Sequence, residues 1–334
     1  MKTLKFLGDL NNNLYIKNNV TMKKIYIAGQ EGMVGQSIYR LLKSMKYHIL
    51  ECKRKELNLV NQKDVNNWFK KNKPEIVINA AGKVGGILDN SNNQMSYIYD
   101  NVMIGFNLVN ASINFNVKKF INLGSACIYP KKTDQPIKEE YLLSSHLEST
   151  NEGYALAKIS VLKYVEYIRK FYKKDFMSLM PTNLYGVGDN FDLNSSHVIP
   201  ALIRKFHYAK ITKKKKVEVW GSGISKREFL HTDDLASAVF FFLNKNITEN
   251  NLNVGSSDYL SIKELAILIK KITNYQGDIF FNKRYPDGVK FRKLDLSKIH
   301  KLGWRAKIKL KDGLKQYYKY FQGLNLNENE KRDL

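Results

Sequence analysis

Apolar residues in the first half of the chain fall into short runs, separated by longer stretches in which they recur every three or four positions. Ile25-Tyr26-Ile27-Ala28 is a run of the length expected of a buried strand. After a glycine-rich turn, Val34, Ile38, Leu41, Leu42 and Met45 fall on one face of a helix. His48 to Cys52, Glu75 to Ala80, Lys119 to Leu123 and Phe176 to Met180 read as strands two to five, with helix-compatible segments between them. Strands alternating with helices in this way predict an α/β fold, a Rossmann-like doubly wound parallel sheet with right-handed crossovers.

Beyond Gly186 the rhythm changes. His197 to Tyr208 is helix-like, a basic loop leads into the short strand Val217 to Trp220, and another helix is expected from Asp233 to Leu243. Leu252 to Gly255 reads as a strand end. Ser261 opens a further helix, with Glu264 three positions on as a capping box requires. The tail carries a turn at Leu302-Gly303-Trp304.

Composition narrows the function classes. The 334 residues are 43% hydrophobic and 12% aromatic, a globular make-up. No stretch approaches the roughly 18 uninterrupted apolar residues of a membrane span, so no membrane partner is expected. Residues 1–22 are rich in Asn and Lys and lack a signal-peptide core; the expectation is a flexible leader or a misplaced start before Met22. Two cysteines, Cys52 and Cys127, make no disulfide framework and point to a reducing compartment, the cytoplasm. The net charge of +24 comes from 55 basic and 31 acidic residues spread along the chain. The densest run, Lys213 to Lys216, reads as a solvated turn, and no zinc spacing or nucleic-acid-binding signature accompanies it. Neither nucleic acid nor metal is therefore an expected partner, although such a field would suit a diphosphate.

Gly29-Gln30-Glu31-Gly32-Met33-Val34-Gly35 places GxxGxxG between the first strand and the first helix. Glycines there let the backbone approach a pyrophosphate resting on the positive end of the helix. Alone the motif is weak; at the first strand–helix junction of a βαβ pattern it points to a dinucleotide. At the end of strand two, Glu51 argues for ribose hydroxyls, whereas Lys53, Arg54 and Lys55 argue for the extra phosphate of NADP, with Arg54 the candidate to stack on adenine. The expected organisation is an NADP-binding Rossmann domain over 23–186, with a return of 230–255, and a smaller C-terminal α/β domain over 187–334 that binds substrate.

A catalytic constellation follows the same order. Ser125 stands just after strand four, where a doubly wound sheet presents its active site. Asn151 is a candidate cap for a helix carrying Tyr154 and Lys158, which are four apart and share a face. A tyrosine near its ordinary ~10 is a poor acid–base group at neutral pH unless a cation lowers it, and Lys158 could supply that charge. Ser125 can bond the carbonyl oxygen that Tyr154 protonates.

The glycine fingerprint, Asn79-Ala80-Ala81-Gly82, the strand-four serine and Tyr154-x-x-x-Lys158 together resemble the short-chain dehydrogenase/reductase family. Arg227-Glu228-Phe229-Leu230-His231-Thr232-Asp233-Asp234 is similar to a segment of its extended members, which act on nucleotide sugars. Lys83 to Ile87, Ser125 to Pro130, Met180 to Gly186, Asn194 to Leu202 and Val219 to Gly223 resemble one branch of that group. In that branch carbons 3 and 5 of GDP-4-keto-6-deoxymannose are inverted and the ketone is reduced with NADPH, giving GDP-L-fucose. The resemblance implies Ser125, Cys127, Tyr154, Lys158 and His197 as catalytic residues, with Cys127 the base and His197 the acid of the epimerisation. It implies Gly29, Gly32, Gly35, Arg54, Leu123, Gly124, Lys158, Pro181, Thr182, Asn183, Leu184 and His197 at NADP(H). It also implies Lys205, Trp220, Arg227 and Asp287 at the GDP end of the substrate, and a homodimer formed by two helices per subunit.

Three positions depart from that pattern. Glu31 stands where an arginine helps hold the NADP phosphate, Lys205 replaces an arginine, and Tyr285 replaces a lysine, with Arg284 beside it as the candidate substitute. Two rivals lie within the group. A 4,6-dehydratase would carry an Asp-Glu pair where Ala126-Cys127 stands, and a simple 4-epimerase would not need Cys127. Outside it stand a non-catalytic NADP sensor, which would be expected to lose Tyr154 or Lys158, and a basic nucleic-acid-binding protein.

Overall fold

The structure, a computed structural model, describes residues 23–324 apart from Pro286; the expected leader lies outside the described residues. The predicted alternation appears as β1 (Lys24–Ala28), α1 (Met33–Ser44), β2 (His48–Leu50), α2 (Gln62–Asn72), β3 (Ile76–Asn79), α3 (Ile87–Asn92), α4 (Gln94–Asn114), β4 (Lys119–Leu123), α5 (Glu152–Tyr172) and β5 (Asp175–Pro181). The remainder comprises β6 (Asn183–Tyr185), α6 (Val198–Ile211), β7 (Lys216–Trp220), β8 (Lys226–His231), α7 (Thr232–Leu243), β9 (Asn251–Val254) and β10 (Tyr259–Ser261). It closes with α8 (Ile262–Thr273), β11 (Asp278–Asn282), β12 (Phe291–Arg292), α9 (Ser297–Lys301) and α10 (Leu310–Gln322).

Six strands form one parallel sheet in the order β2-β1-β3-β4-β5-β9. Strands covered on both faces must be apolar throughout rather than alternating, which is why β1, β3 and β4 read as continuous runs. Alternate residues still choose opposite cores. Ile25, Ile27, Ile78 and Ile121 pack with Ile38 and Leu42 of α1 and with Leu235, Val239 and Phe242 of α7. Tyr26, Val77, Phe120 and Phe176 pack with Phe69 of α2, Leu108 of α4 and Val165 of α5. Chain order reverses between β1 and β3, and ligands of such sheets bind at the carboxyl ends of the strands beside that switch.

A third core gathers Leu202 and Phe206 of α6, Val217 and Val219 of β7, Leu265 and Ile269 of α8, and Leu314, Tyr317 and Phe321 of α10. Here β8 is central, pairing β6 and β12 in parallel and β10 antiparallel, while β7 pairs β11. β7 is buried on one face only, so its residues alternate and Trp220 points outward. Ser261 and Glu264 form the expected capping box, and Lys213 to Lys216 are exposed. Among the described residues no helix is long and apolar enough to cross a membrane.

Two local expectations need correction. β2 ends at Leu50 rather than Cys52, because the Lys53 amide donates to Glu56 at 2.9 Å and the chain turns into a 3-10 turn over Arg54–Glu56. Asn151 does occupy the N-cap of α5, but its side chain makes no cap bond.

Candidate active site

The glycine turn is shaped by close backbone approach. Gly29 has φ +79°, and a Cβ there would lie 2.7 Å from the Cα of Ala81, at the end of β3. A Cβ on Gly35 would meet the Gly29 carbonyl oxygen at 2.1 Å, so α1 can start this near β1 only without a side chain. Gly32 is the N-cap of α1 and offers no side-chain acceptor. The first-turn amides and the positive end of the helix are therefore turned to an anion from outside the chain.

The ribose end departs from expectation. Glu51 bonds Tyr39 and Lys43 on the outer face of α1 and does not face the turn. The acid in place is Glu31, whose carboxylate accepts the Arg54 amide at 2.7 Å. Lys53, Arg54 and Lys55 are exposed.

Ser125 leaves β4 and accepts the Cys127 amide on its hydroxyl at 3.1 Å, opening a 3-10 turn over Ala126–Ile128. Tyr154 lies in the first turn of α5, with its hydroxyl close enough to the Ser125 side chain to be influenced by it. One turn on, the Lys158 ammonium is 5.8 Å from the Tyr154 ring centroid and donates to the Leu123 carbonyl at 3.0 Å. Burial lowers the Lys158 pKa to about 8. The expected lowering of Tyr154 by Lys158 is not what the structure shows: burial, seconded by the neighbouring Cys127, pushes the phenol up, and Ser125 offsets only part. Tyr154 is therefore held protonated, the form in which it can give a proton.

Cys127 is partly exposed and lies within electrostatic range of both Tyr154 and Arg227. Burial, with Arg292 nearby, lowers Arg227 to about 10. His197 is the N-cap of α6 and exposed, yet the protein around it lowers its pKa, which favours neutral imidazole. It shares no hydrogen bond or ion pair with Ser125, Cys127 or Tyr154 among the described residues. Its loop is tied to the segment after β3, since the Gly86 amide donates to the Ser195 carbonyl at 2.8 Å.

At the far end, Lys205 lies 4.8 Å from the Trp220 ring centroid and donates to the Glu218 carbonyl. The exposed indole is not free as expected: Tyr285 stacks on it at 4.3 Å and 12°. Asp287 is also occupied, both carboxylate oxygens taking Ser222, at its amide and its hydroxyl, each at 2.7 Å. Arg227 donates to the Asp287 carbonyl at 3.3 Å. Arg284 is exposed. Thr182 and Asn183 both bond the Glu228 carbonyl, tying β5 and β6 to β8, while Leu123, Gly124 and Pro181 are buried at strand ends and Leu184 is partly buried.

Several positioning residues had escaped the sequence analysis. Asn101 of α4 accepts the Lys83 amide and donates to the carbonyls of Lys83 and Tyr97. A Cβ on Gly82 would strike its Oδ1 at 2.7 Å and approach the Lys158 ammonium at 3.4 Å. A buried asparagine on an otherwise apolar helical face was the available signal. Glu228 is fully buried and accepts the amides of Ser256, Ser257 and Leu294. Arg292 donates to the Ala126 carbonyl at 2.8 Å, directly behind Cys127. Both were hidden because their partners lie far along the chain.

Comparison with known proteins adds to this geometry. The model of the NAD dependent epimerase/dehydratase family matches residues 25–255. The chain is 44% identical to a GDP-L-fucose synthase of Sinorhizobium fredii, over 90% of this chain and 95% of that protein. It is 41% identical to the GDP-L-fucose synthase of Escherichia coli, over 90% and 97%. Among solved structures, a GDP-mannoheptose C4 reductase from Campylobacter jejuni with NADP bound superposes with a TM-score of 0.83 at 36% identity, covering 91% of this chain and 100% of that one.

Proposed function

The chain belongs to the NAD dependent epimerase/dehydratase family, and from that premise we propose that it is a GDP-L-fucose synthase, an NADPH-dependent epimerase–reductase that converts GDP-4-keto-6-deoxymannose to GDP-L-fucose. One observation carries the reading: a serine and a protonated tyrosine that can bond one ketone oxygen stand beside a thiol, whose own backbone amide is tied to that serine. A reductase needs the first pair, and an epimerase acting at the carbons beside the ketone needs a base as well, which the thiol can supply.

The glycine turn fits a pyrophosphate, because its glycines admit the close backbone approach and its helix end supplies the field. NADPH would be held by Gly29, Gly32, Gly35, Arg54, Leu123, Gly124, Lys158, the Pro181–Leu184 segment and His197, and it supplies the hydride that reduces the ketone. Lys205, Trp220 and Arg227 face the GDP moiety, with Arg227 suited to the diphosphate through its planar donors and Asp287 acting by clipping the loop that carries Ser222.

In the epimerisation Cys127 takes the proton from the carbon beside the ketone, and the enolate oxygen rests between Ser125 and Tyr154. His197 returns a proton from the opposite face. Its lowered pKa restricts that role to the small protonated fraction at neutral pH. In the reduction Tyr154 gives its proton to the alkoxide, and the Lys158 cation stabilises the phenolate left behind. The same residues serve both stages because both develop negative charge on one oxygen.

The molecule works as a homodimer in this reading. Met95 and Tyr99 near the start of α4, and Leu156, Tyr167 and Phe171 along α5, are exposed on two helices that pack side by side, as the seam of a helical dimer interface would be. The cytoplasm is the compartment proposed, in keeping with two free cysteines.

The test supplies GDP-4-keto-6-deoxymannose and NADPH in D2O and identifies the sugar by NMR. GDP-L-fucose with deuterium at carbons 3 and 5 is expected. Cys127→Ser should lose the deuterium and keep part of the reduction. Reduction without any exchange in the unmodified protein would leave a 4-reductase and remove Cys127 and His197 from the mechanism.

A further inference from the structure

Glu31 stands inside the glycine turn, between Gly29 and Gly32. Its backbone is anchored by Gln36, whose side chain donates to the Glu31 carbonyl at 2.8 Å. Its carboxylate reaches across to the end of β2 and accepts the Arg54 amide at 2.7 Å. That amide opens the 3-10 turn Arg54–Glu56, the place where a βαβ unit meets the ribose of its coenzyme. The adjacent amide of Lys53 is taken by a second carboxylate, Glu56, at 2.9 Å. Both backbone donors at the strand end are thus satisfied by acids of this chain.

The two coenzymes meet this arrangement differently. A 2′-phosphate carries about −1.5 to −2 charges at neutral pH and acts as a hydrogen-bond acceptor. To use the Arg54 amide it must displace Glu31, and it then sits beside a carboxylate of the same sign. A 2′-hydroxyl can donate to Glu31 while the amide bond stays in place, since an ionised carboxylate accepts on both oxygens. The exposed Arg54 guanidinium acts in the opposite sense and favours the phosphate. Glu51 takes no part, because Tyr39 and Lys43 hold it on the outer face of α1.

We propose that Glu31 is a coenzyme-selecting residue, and that by holding the Arg54 amide it lets this site take NADH alongside NADPH. The proposal rests on the coenzyme reading given above. It does not touch the sugar chemistry, which lies at Cys127 and Tyr154.

Equilibrium binding tests it without turnover: dissociation constants for NADPH and NADH, measured by coenzyme fluorescence, and for the fragments 2′,5′-ADP and 5′-AMP, measured by calorimetry. The unmodified protein should favour NADPH over NADH by less than about tenfold, the worth of one charge-assisted bond. Glu31→Gln keeps the shape and removes the charge. It should raise the ratio by about tenfold, chiefly through tighter NADPH and 2′,5′-ADP. Arg54→Ala should weaken the 2′-phosphorylated ligands, NADPH and 2′,5′-ADP, by more than it weakens NADH and 5′-AMP. A preference for NADPH above a hundredfold that Glu31→Gln leaves unmoved overturns the proposal while the coenzyme reading stands. Failure of all four ligands to bind overturns both.

Discussion

Replacing Lys158 by methionine should stabilise this protein while disabling it. The lysine is 7% exposed, and burial is the cause that lowers its pKa from 10.5 to about 8. At 1.36 kcal/mol per pH unit, holding the cation there costs the folded state about 3 kcal/mol. The sign follows from linkage. The unfolded chain binds the proton more tightly, so the penalty is full below about pH 8 and fades as pH rises from about 8 to 10.5. Methionine has a similar reach and no charge. Its loss of the bond to the Leu123 carbonyl removes about 1 kcal/mol. A net gain of about 2 kcal/mol at pH 7 remains, and at roughly 2 °C per kcal/mol for a chain this long it raises Tm by about 4 °C. Scanning calorimetry of the coenzyme-free protein at pH 7 and near pH 10 reads the effect, which should be present at the first and nearly gone at the second. Ketone reduction should fall by roughly two to four orders of magnitude, as expected when a general acid loses its partner charge. A lower Tm at pH 7, or a difference that does not change with pH, would refute the claim that the protein keeps a costly buried charge for catalysis.

Gly82→Ala places a methyl 2.7 Å from the Asn101 carboxamide and 3.4 Å from the Lys158 ammonium. Overpacking of this kind should cost about 2 kcal/mol in urea unfolding and slow reduction more than it weakens coenzyme binding. Because the protein around His197 lowers its pKa, deuterium incorporation into the sugar should rise as pH falls from about 7.5 toward 5.5. Reduction of a sugar already epimerised should not follow that limb, and His197→Gln should flatten it. An exchange rate that is flat with pH in the unmodified protein removes His197 as the acid. Tyr285→Ala strips the ring stacked on Trp220 and should raise KM for the nucleotide sugar about fivefold, the worth of one aromatic pair, with kcat unchanged.

What the linear sequence determined was whatever depends on near neighbours. The runs Ile25–Ala28, Ile76–Ile78 and Phe120–Ile121 are apolar because each strand is covered on both faces, and that pattern needs no knowledge of what covers them. The glycine turn, the Ser261–Glu264 capping box and the shared face of Tyr154 and Lys158 are likewise local, set by backbone geometry within one or two turns. The solvated Lys213–Lys216 segment was legible for the same reason.

Tertiary structure decided what those groups do to one another. Lys158 looked like the charge that lowers Tyr154, yet burial moves both groups the other way, and burial belongs to the whole fold. Glu51 and Glu31 are equally acidic in the sequence. Only the packing of α1 turns the first outward and sets the second on the Arg54 amide. Trp220 and Asp287 looked available for substrate until the parallel pairing of β7 with β11 brought the segments after the two strands together, stacking Tyr285 on Trp220 and closing Ser222 on Asp287. Glu228 and Arg292 carried no signal, because their partners at Leu294 and Ala126 lie 66 and 166 residues away. Periodicity reports which side of an element is buried; which charge meets which is settled only when distant segments close the cleft.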